Sequence, residues 1–345
     1  MKKRLLALLL ALFLLLTLCA CGLDTPATTS AEDGLTVYFL DVGQADSALV
    51  TCGGEAMLID GGNVADAQYV VSALAQRGVT ELQTVVATHC DEDHCGGLAG
   101  VLAKYPAGRV LCSVTEYDTK AFSDFAKYAA AQERAIEQPQ PGESWGLGGA
   151  TVTVLGPLRD YGDNNENSIV LRIDYGETSF LFTGDIGIEA EDELVESGAD
   201  LSATVLKAPH HGSRGSSGYV FLRATAPQYG VISVGADNSY GHPTEQALSR
   251  LRDADVQLYR TDLQGTVTAS SDGKTVTFTT ERTATAEQIN PTLKNAPASY
   301  IGNINSGVFH SDTCASLPQE QNQITFDSYE AALTAGYRPH KKCLP

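Results

Sequence analysis

His89, Cys90, Asp91, Glu92, Asp93 and His94 form one unbroken run between an apolar stretch, 82–88, and the pair Gly96-Gly97. His89, Asp91, Asp93 and His94 are metal-capable side chains packed into six positions. Imidazole and carboxylate suit a borderline-to-hard divalent ion such as zinc or manganese. Without a cation, acids this close would repel one another. Further candidates stand far along the chain: Asp185 after the apolar stretch 179–183, His210 after 201–208, and His242 in a Tyr-Gly-His-Pro turn. With the first cluster they could hold two ions roughly 3.5–4 Å apart, the spacing of two-metal hydrolytic sites. Adjacent residues on a strand point to opposite faces. On that basis one of His210 and His211 is expected to bind metal and the other to support it or touch substrate; His210 is taken as the ligand.

Such ligands need rigid strands to carry them, with loops left free for substrate. The apolar runs at 36–42, 47–51, 56–59 and 82–88 read as strands, separated by turn residues. Helical periodicity marks 66–77, 97–104 and 120–133. The second half predicts strands at 151–155, 168–174, 179–183, 201–208 and 230–234. It also predicts a helix over 244–253 and a hairpin over 265–280. Strands and helices occur in both halves without strict alternation, so periodicity gives α/β or α+β and no more.

The run His-x-Asp-x-Asp-His-x-Gly-Gly resembles the signature loop of the metallo-β-lactamase-fold hydrolases, whose usual form is His-x-His-x-Asp-His. Asp91 stands where that pattern has its second histidine. The aspartate form resembles the branch containing the hydrolase domain of the DNA-internalisation competence channel protein. Other segments agree in order: Asp41-Val42-Gly43-Gln44-Ala45-Asp46, Leu58-Ile59-Asp60-Gly61-Gly62, Thr183-Gly184-Asp185, Pro209-His210-His211-Gly212-Ser213 and Tyr240-Gly241-His242-Pro243. The resemblance implies a four-layer αββα sandwich over 34–281 and two divalent ions, zinc or manganese. It implies that Asp93 holds an ion and orients the attacking water, which makes it the catalytic acid. It implies that Asp60 is a buried acid orienting the metal loop, and that Asp41, Gln44 and Asp46 lie near the site. Asn167 and Lys207 are further candidates for substrate contact.

The ends of the chain read differently. Lys2, Lys3 and Arg4 precede an apolar run over 5–18, too short for a confident membrane span. Leu18-Cys19-Ala20-Cys21-Gly22 resembles a bacterial lipobox, which implies a signal peptide over 1–20 and lipidation of Cys21. A polar tether over 21–33 would follow. At the other end a linker is expected over 282–298. A module over 299–345 then carries His310, Cys314, His340 and Cys343, a tetrahedral set for one structural zinc. The module resembles the small metal-binding domain of Ada-type DNA-repair proteins, whose usual pattern has cysteine at the position of His340. So short a stretch needs such a staple, and its ligand set asks nothing of the body. Of the remaining cysteines, Cys52, Cys90, Cys95 and Cys112 are expected to pack or to pair as disulfides.

The formal charge is −19, and loss of Lys2, Lys3 and Arg4 with the leader makes it more negative. This is evidence against a broad basic DNA-binding surface, which any nucleic-acid reading must overcome. The leading expectation is a membrane-tethered, extracytoplasmic metallohydrolase of phosphodiesters, with nucleic acid as substrate and no membrane contact beyond the lipid anchor. A hydrolase of a small or surface-linked ester, such as a phosphocholine ester, lactone or lactam, is the alternative that the charge favours. A lipoprotein that captures metal or DNA without catalysis is the third.

Overall fold

A computed structural model describes residues 34–291, 299–326 and 329–344. The expected signal peptide, lipidated Cys21 and tether lie outside the described residues. Among the described residues no helix is long and apolar enough to cross a membrane.

Two sheets face each other. The first runs, in spatial order, Val276–Thr280, Val267–Ser271, Leu35–Phe39, Ala48–Cys52, Glu55–Ile59, Leu82–Ala87, Ala107–Cys112 and Ile136–Glu137. The second runs Gln257–Arg260, Tyr229–Ile232, Val205–Lys207, Thr178–Phe182, Val170–Tyr175, Ala150–Gly156 and Ser144–Leu147. Between them lies a core of Val37, Phe39, Met57, Ile59 and Val86 from one sheet against Val152, Leu171, Phe180 and Phe182 from the other. The Phe39 and Phe182 rings stack across it at 5.8 Å. Helices Ala67–Gln76, Leu98–Leu102 and Lys120–Ala131 cover the outer face of the first sheet through Val70, Leu74, Val101, Phe122 and Phe125. Helices Ile188–Glu196, Tyr219–Thr225 and Glu245–Asp253 cover the second through Leu194, Phe221, Leu222 and Leu251. The layers are thus helix, sheet, sheet, helix. Each fully buried large side chain contributes about 1.5–3 kcal/mol.

This packing decides which sequence signals mattered. Leu82–Ala87 lies parallel between Glu55–Ile59 and Ala107–Cys112 and is buried on both faces. That explains its unbroken apolar run. The stretch 201–208 was expected as one strand, but only Val205–Lys207 pairs. Helix Ile188–Glu196 was not expected, because its acidic surface hides the buried stripe Ala190 and Leu194. Cys90, Cys95 and Cys112 pack as free thiols in the first helical layer, and Cys52 is free between the sheets.

The tail folds on a third sheet, ordered Gln323–Phe326, Tyr300–Asn303, Val308–Ser311 and Arg338–Pro339. Tyr300, Phe309, Phe326 and Tyr329 form its small core. The described part of the expected linker is not loose. Helix Ala286–Ile289 is capped by Thr285, Ile289 is buried against the body, and Arg252 donates to the Pro291 carbonyl. Nor does the tail stand apart: Tyr219 of the body stacks on Tyr329, and Tyr219 and Tyr300 both donate to Asp253.

Candidate metal centre

The strand Leu82–Ala87 delivers Thr88 and His89 to the end of the sheet, and the chain then turns into the short helix Glu92–Cys95. Backbone bonds tie this loop to its neighbours. Gly61 N donates to His94 O, Gly97 N to Gly62 O, and Asp46 N to Asp93 O. The glycine pair is required by this closeness: a Cβ on Gly97 would fall 1.9 Å from the Gly61 carbonyl oxygen.

Four groups converge on one point. His94 Nε2 lies 3.3 Å from Asp185 Oδ1 and 3.9 Å from Asp93 Oδ2. His211 Nε2 lies 3.4 Å from both Asp93 Oδ2 and Asp185 Oδ2. Beside them His89 Nε2 is 3.7 Å from Asp91 Oδ2, and the His89 and His94 rings are 4.0 Å apart. His89 Nε2, His94 Nε2, His211 Nε2 and Asp185 Oδ1 are buried and have no hydrogen-bond partner among the described residues. Atoms bound to one ion at about 2.0–2.2 Å are separated by roughly 3–3.6 Å. Most of these gaps fall at or just beyond that range. The residues therefore fit one or more divalent ions, with Asp93, His94, Asp185 and His211 as the tightest set.

Charge in the cluster points the same way. Burial disfavours charge on His94 and His211, but Asp185 together with Asp60 or Asp46 overcomes it and holds both imidazoles well above their ordinary pKa. Burial likewise raises the Asp185 carboxyl, and His211 and His94 more than offset it, holding Asp185 well below the usual range. The acids around these rings favour positive charge at the position a cation would take.

A supporting layer fixes the ligand rings. Asp60, at φ 59°, accepts from Thr88 N at 2.7 Å and Thr88 Oγ1 at 2.8 Å, and meets His94 Nδ1 at 2.9 Å. His89 Nδ1 meets Thr88 Oγ1 at 3.2 Å and Ser168 Oγ at 3.3 Å. His211 Nδ1 meets the Ser233 carbonyl at 2.9 Å, with Asp46 Oδ1 3.4 Å away. Such contacts fix the tautomer and aim the other ring nitrogen.

Residues 40–236, more than half of the chain, match the model described as the metallo-beta-lactamase superfamily. The chain belongs to that superfamily. As a metallo-beta-lactamase superfamily hydrolase it is 37% identical over 242 residues to "Competence protein ComA" of Neisseria gonorrhoeae, covering 69% of this chain and 32% of that protein. It is 29% identical over 251 residues to "ComE operon protein 3" of Bacillus subtilis, covering 67% and 32%. The chain thus spans about a third of the length of these curated relatives. Among solved structures, the metallo-beta-lactamase fold protein YhfI of Bacillus subtilis aligns over 69% of this chain and 100% of its own, at 12% identity and TM-score 0.48. Residues 294–345 match the metal binding domain of Ada.

In that Ada-type module the ligand atoms of His310, Cys314, His340 and Cys343 stand together. His310 Nδ1 to Cys314 Sγ is 3.4 Å, and His340 Nδ1 to Cys343 Sγ is 3.3 Å. Cys314 Sγ to His340 Nδ1 is 3.7 Å, and Cys343 Sγ to His310 Nδ1 is 3.9 Å. Such separations fit the edges of a tetrahedron that a zinc ion with bonds of about 2.0–2.3 Å would occupy, held by these four residues.

Several expectations need correction. His211, not His210, is the buried ligand candidate of its pair. Both residues are left-handed, at φ 51° and 52°, so the alternation of a strand does not apply. His210 Nε2 is 3.8 Å from Asp185 alone, and its side chain is 29% exposed. His242 stands farther out, its ring 6.5 Å from that of His211. Lys207 is buried and pairs with Asp46 Oδ2 at 2.7 Å, so it cannot reach a substrate. Asn167 is used within its own loop, bonded to Asp160 and Tyr161 N. Asp41 pairs with Arg282, and Gln44 accepts from Gly235 N, so neither enters the cluster. Sequence reasoning missed Thr88, Ser168, Ser233, Tyr117 and Asn164. The last donates to Asp91 Oδ1 at 3.1 Å and also contacts Tyr117. The signal for Asn164 was the Asp-Asn-Asn-Glu-Asn run at 163–167, dense in loop-stabilising amides.

Proposed function

We propose that the chain is an extracytoplasmic, membrane-tethered phosphodiesterase acting on nucleic acid with two divalent ions, zinc or manganese. The observation that carries this reading is the convergence of Asp93, His94, Asp185 and His211 with buried, unsatisfied atoms turned inward. His89 and Asp91, with an exposed Asp91 edge, extend the cluster for a second ion. Bound divalent ions supply Lewis acidity, an acidified water and neutralisation of an anionic substrate. The protein's own part is positioning. Asp60, Thr88 and Ser168 lock His89 and His94, and Asp46 with the Ser233 carbonyl locks His211. Lys207 balances Asp46 and keeps it from competing for a cation. His210 and His242 stand at the mouth, where they can contact the scissile group. Relatives named as competence and recombination proteins support nucleic acid as the substrate.

The charge of −19 favours a second reading, hydrolysis of a small or surface-linked ester. One comparison separates them. Zinc- and manganese-loaded protein is assayed for acid-soluble nucleotide release from DNA and RNA, beside a panel of phosphocholine esters, lactones and lactams. Turnover confined to the panel would replace the nucleic-acid reading. Metal uptake without turnover of any substrate would leave a capturing lipoprotein.

A further inference from the structure

Two exposed tyrosines flank the metal centre, and neither is needed to build it. Tyr240 is 71% exposed, yet its ring stacks on His242 at 5.7 Å with 23° between the planes. His242 in turn lies against His210 and His211. At the other end, Tyr117 is 37% exposed and contacts Asn164, which bonds Asp91. The contacts therefore run from Tyr117 through Asp91, His89, His94, Asp185, His211 and His242 to Tyr240. Lone exposed aromatic rings are common on protein surfaces. Tyr240 is held by His242, and Tyr117 by Asn164 together with an edge-on contact to the buried Phe122 at 6.3 Å, at opposite ends of one line of polar groups. The segment just before Tyr117 helps line a groove of about 590 Å³, where Thr115 and Glu116 face Gln138, Gln140, Arg159 and Asp160.

We propose that Tyr117 and Tyr240 are stacking platforms that seat the bases of a single-stranded nucleic acid on either side of the metal centre. This rests on the phosphodiesterase reading above. An acidic protein cannot hold a strand mainly by its phosphates, because binding through phosphates needs a basic track. Stacking on aromatic rings needs no such track and tolerates any base. In a duplex the base faces are buried in the stack. The substrate is accordingly single-stranded, and its binding depends only weakly on salt.

The test uses the full chain and cleavage-resistant phosphorothioate strands, followed by fluorescence anisotropy. The probes are an oligothymidylate, an abasic strand of equal length and an N-acetylglucosamine oligomer. The base-bearing strand is expected to bind about 100-fold tighter than the abasic strand, about tenfold from each ring. Tyr240→Ala and Tyr117→Ala should each remove about tenfold of that preference, while Tyr240→Phe retains it. The slope of log affinity against log salt should be shallower than about −1.5, which corresponds to roughly two phosphates. Equal binding of base-bearing and abasic strands, or alanine variants that bind like wild type, would overturn the proposal. So would tighter, tyrosine-dependent binding of the sugar oligomer. Hydrolysis of a small phosphodiester without bases, bis-p-nitrophenyl phosphate, is scored separately. Its absence counts against the phosphodiesterase reading, whereas its presence with equal binding of base-bearing and abasic strands counts against the platforms alone.

Discussion

Replacing Asp60 by asparagine tests whether the supporting layer matters as much as the ligands. Asparagine tolerates the left-handed backbone at this position, so the loop should keep its path. Its carbonyl can still accept from Thr88 N. Its amide, however, presents a donor where the carboxylate now meets His94 Nδ1 at 2.9 Å and Thr88 Oγ1 at 2.8 Å. His94 then loses the acceptor that keeps its proton on Nδ1, and the proton moves to Nε2, the atom facing Asp185. One buried hydrogen bond to a charged group is worth about 1.5–3 kcal/mol. At about 1.4 kcal/mol per decade, metal binding should weaken roughly 10- to 150-fold. That overlaps the roughly 10- to 100-fold loss usual for groups that support a metal ligand. Competition with a chromophoric chelator reads the affinity without recourse to activity. Circular dichroism of the chelated variant checks the fold. A variant that folds normally and binds zinc within about threefold of wild type would refute the argument that Asp60 sets the His94 tautomer.

Three other perturbations follow from the same geometry. His211→Ala should lower phosphodiester turnover by more than about 100-fold, and His210→Ala by about tenfold or less; steady-state kinetics at saturating metal distinguishes the two, and reversed sizes would restore His210 as the ligand. Lys207→Met leaves the buried Asp46 carboxylate with His211, 3.4 Å away, as its nearest cationic partner and should cost up to about 3 kcal/mol in denaturant unfolding of the chelated protein. Adding Asp46→Asn should recover most of that loss, and a single variant within about 1 kcal/mol of wild type would show that the pair is not needed. Cys314→Ser should remove one equivalent of zinc by elemental analysis while hydrolysis of a small phosphodiester stays within about twofold, because the Ada-type ligands lie apart from the cluster. Unchanged zinc content would rule out the tetrahedral set.

The sequence exposed those parts of the protein where one signal dominates. The strand Leu82–Ala87 is buried on both faces and therefore reads as a plain apolar run. The dense acids and histidines at its exit point to a cation, because acids this close repel one another without one. The αββα order needed family resemblance, since the pairing of Leu35–Phe39 with Val267–Ser271 joins segments more than two hundred residues apart. Helix Ile188–Glu196 was hidden by its acids. The choice between His210 and His211 was lost for a different reason. It depends on two left-handed residues after Pro209, and backbone angles of that kind leave no mark in hydrophobic periodicity. Lys207 misled because a cation beside a histidine pair looks available to substrate, whereas burial against Asp46 removes it. Thr88, Ser168 and Ser233 carried no signal, because hydroxyls and carbonyls become functional only through the neighbours that folding brings.

The central claim is that the cluster around Asp93 performs metal-dependent phosphodiester hydrolysis. Its most direct measurement is nucleotide release from single-stranded DNA by protein that has been chelated and then reloaded with zinc or manganese, with Asp93→Ala measured in parallel. Chelated protein should be inactive and reloaded wild type active. The variant should keep its far-ultraviolet dichroism but lose turnover by orders of magnitude, because a ligand is removed while both sheets remain. Near-native nucleotide release by Asp93→Ala at saturating metal, or release that persists after complete chelation, would contradict the account.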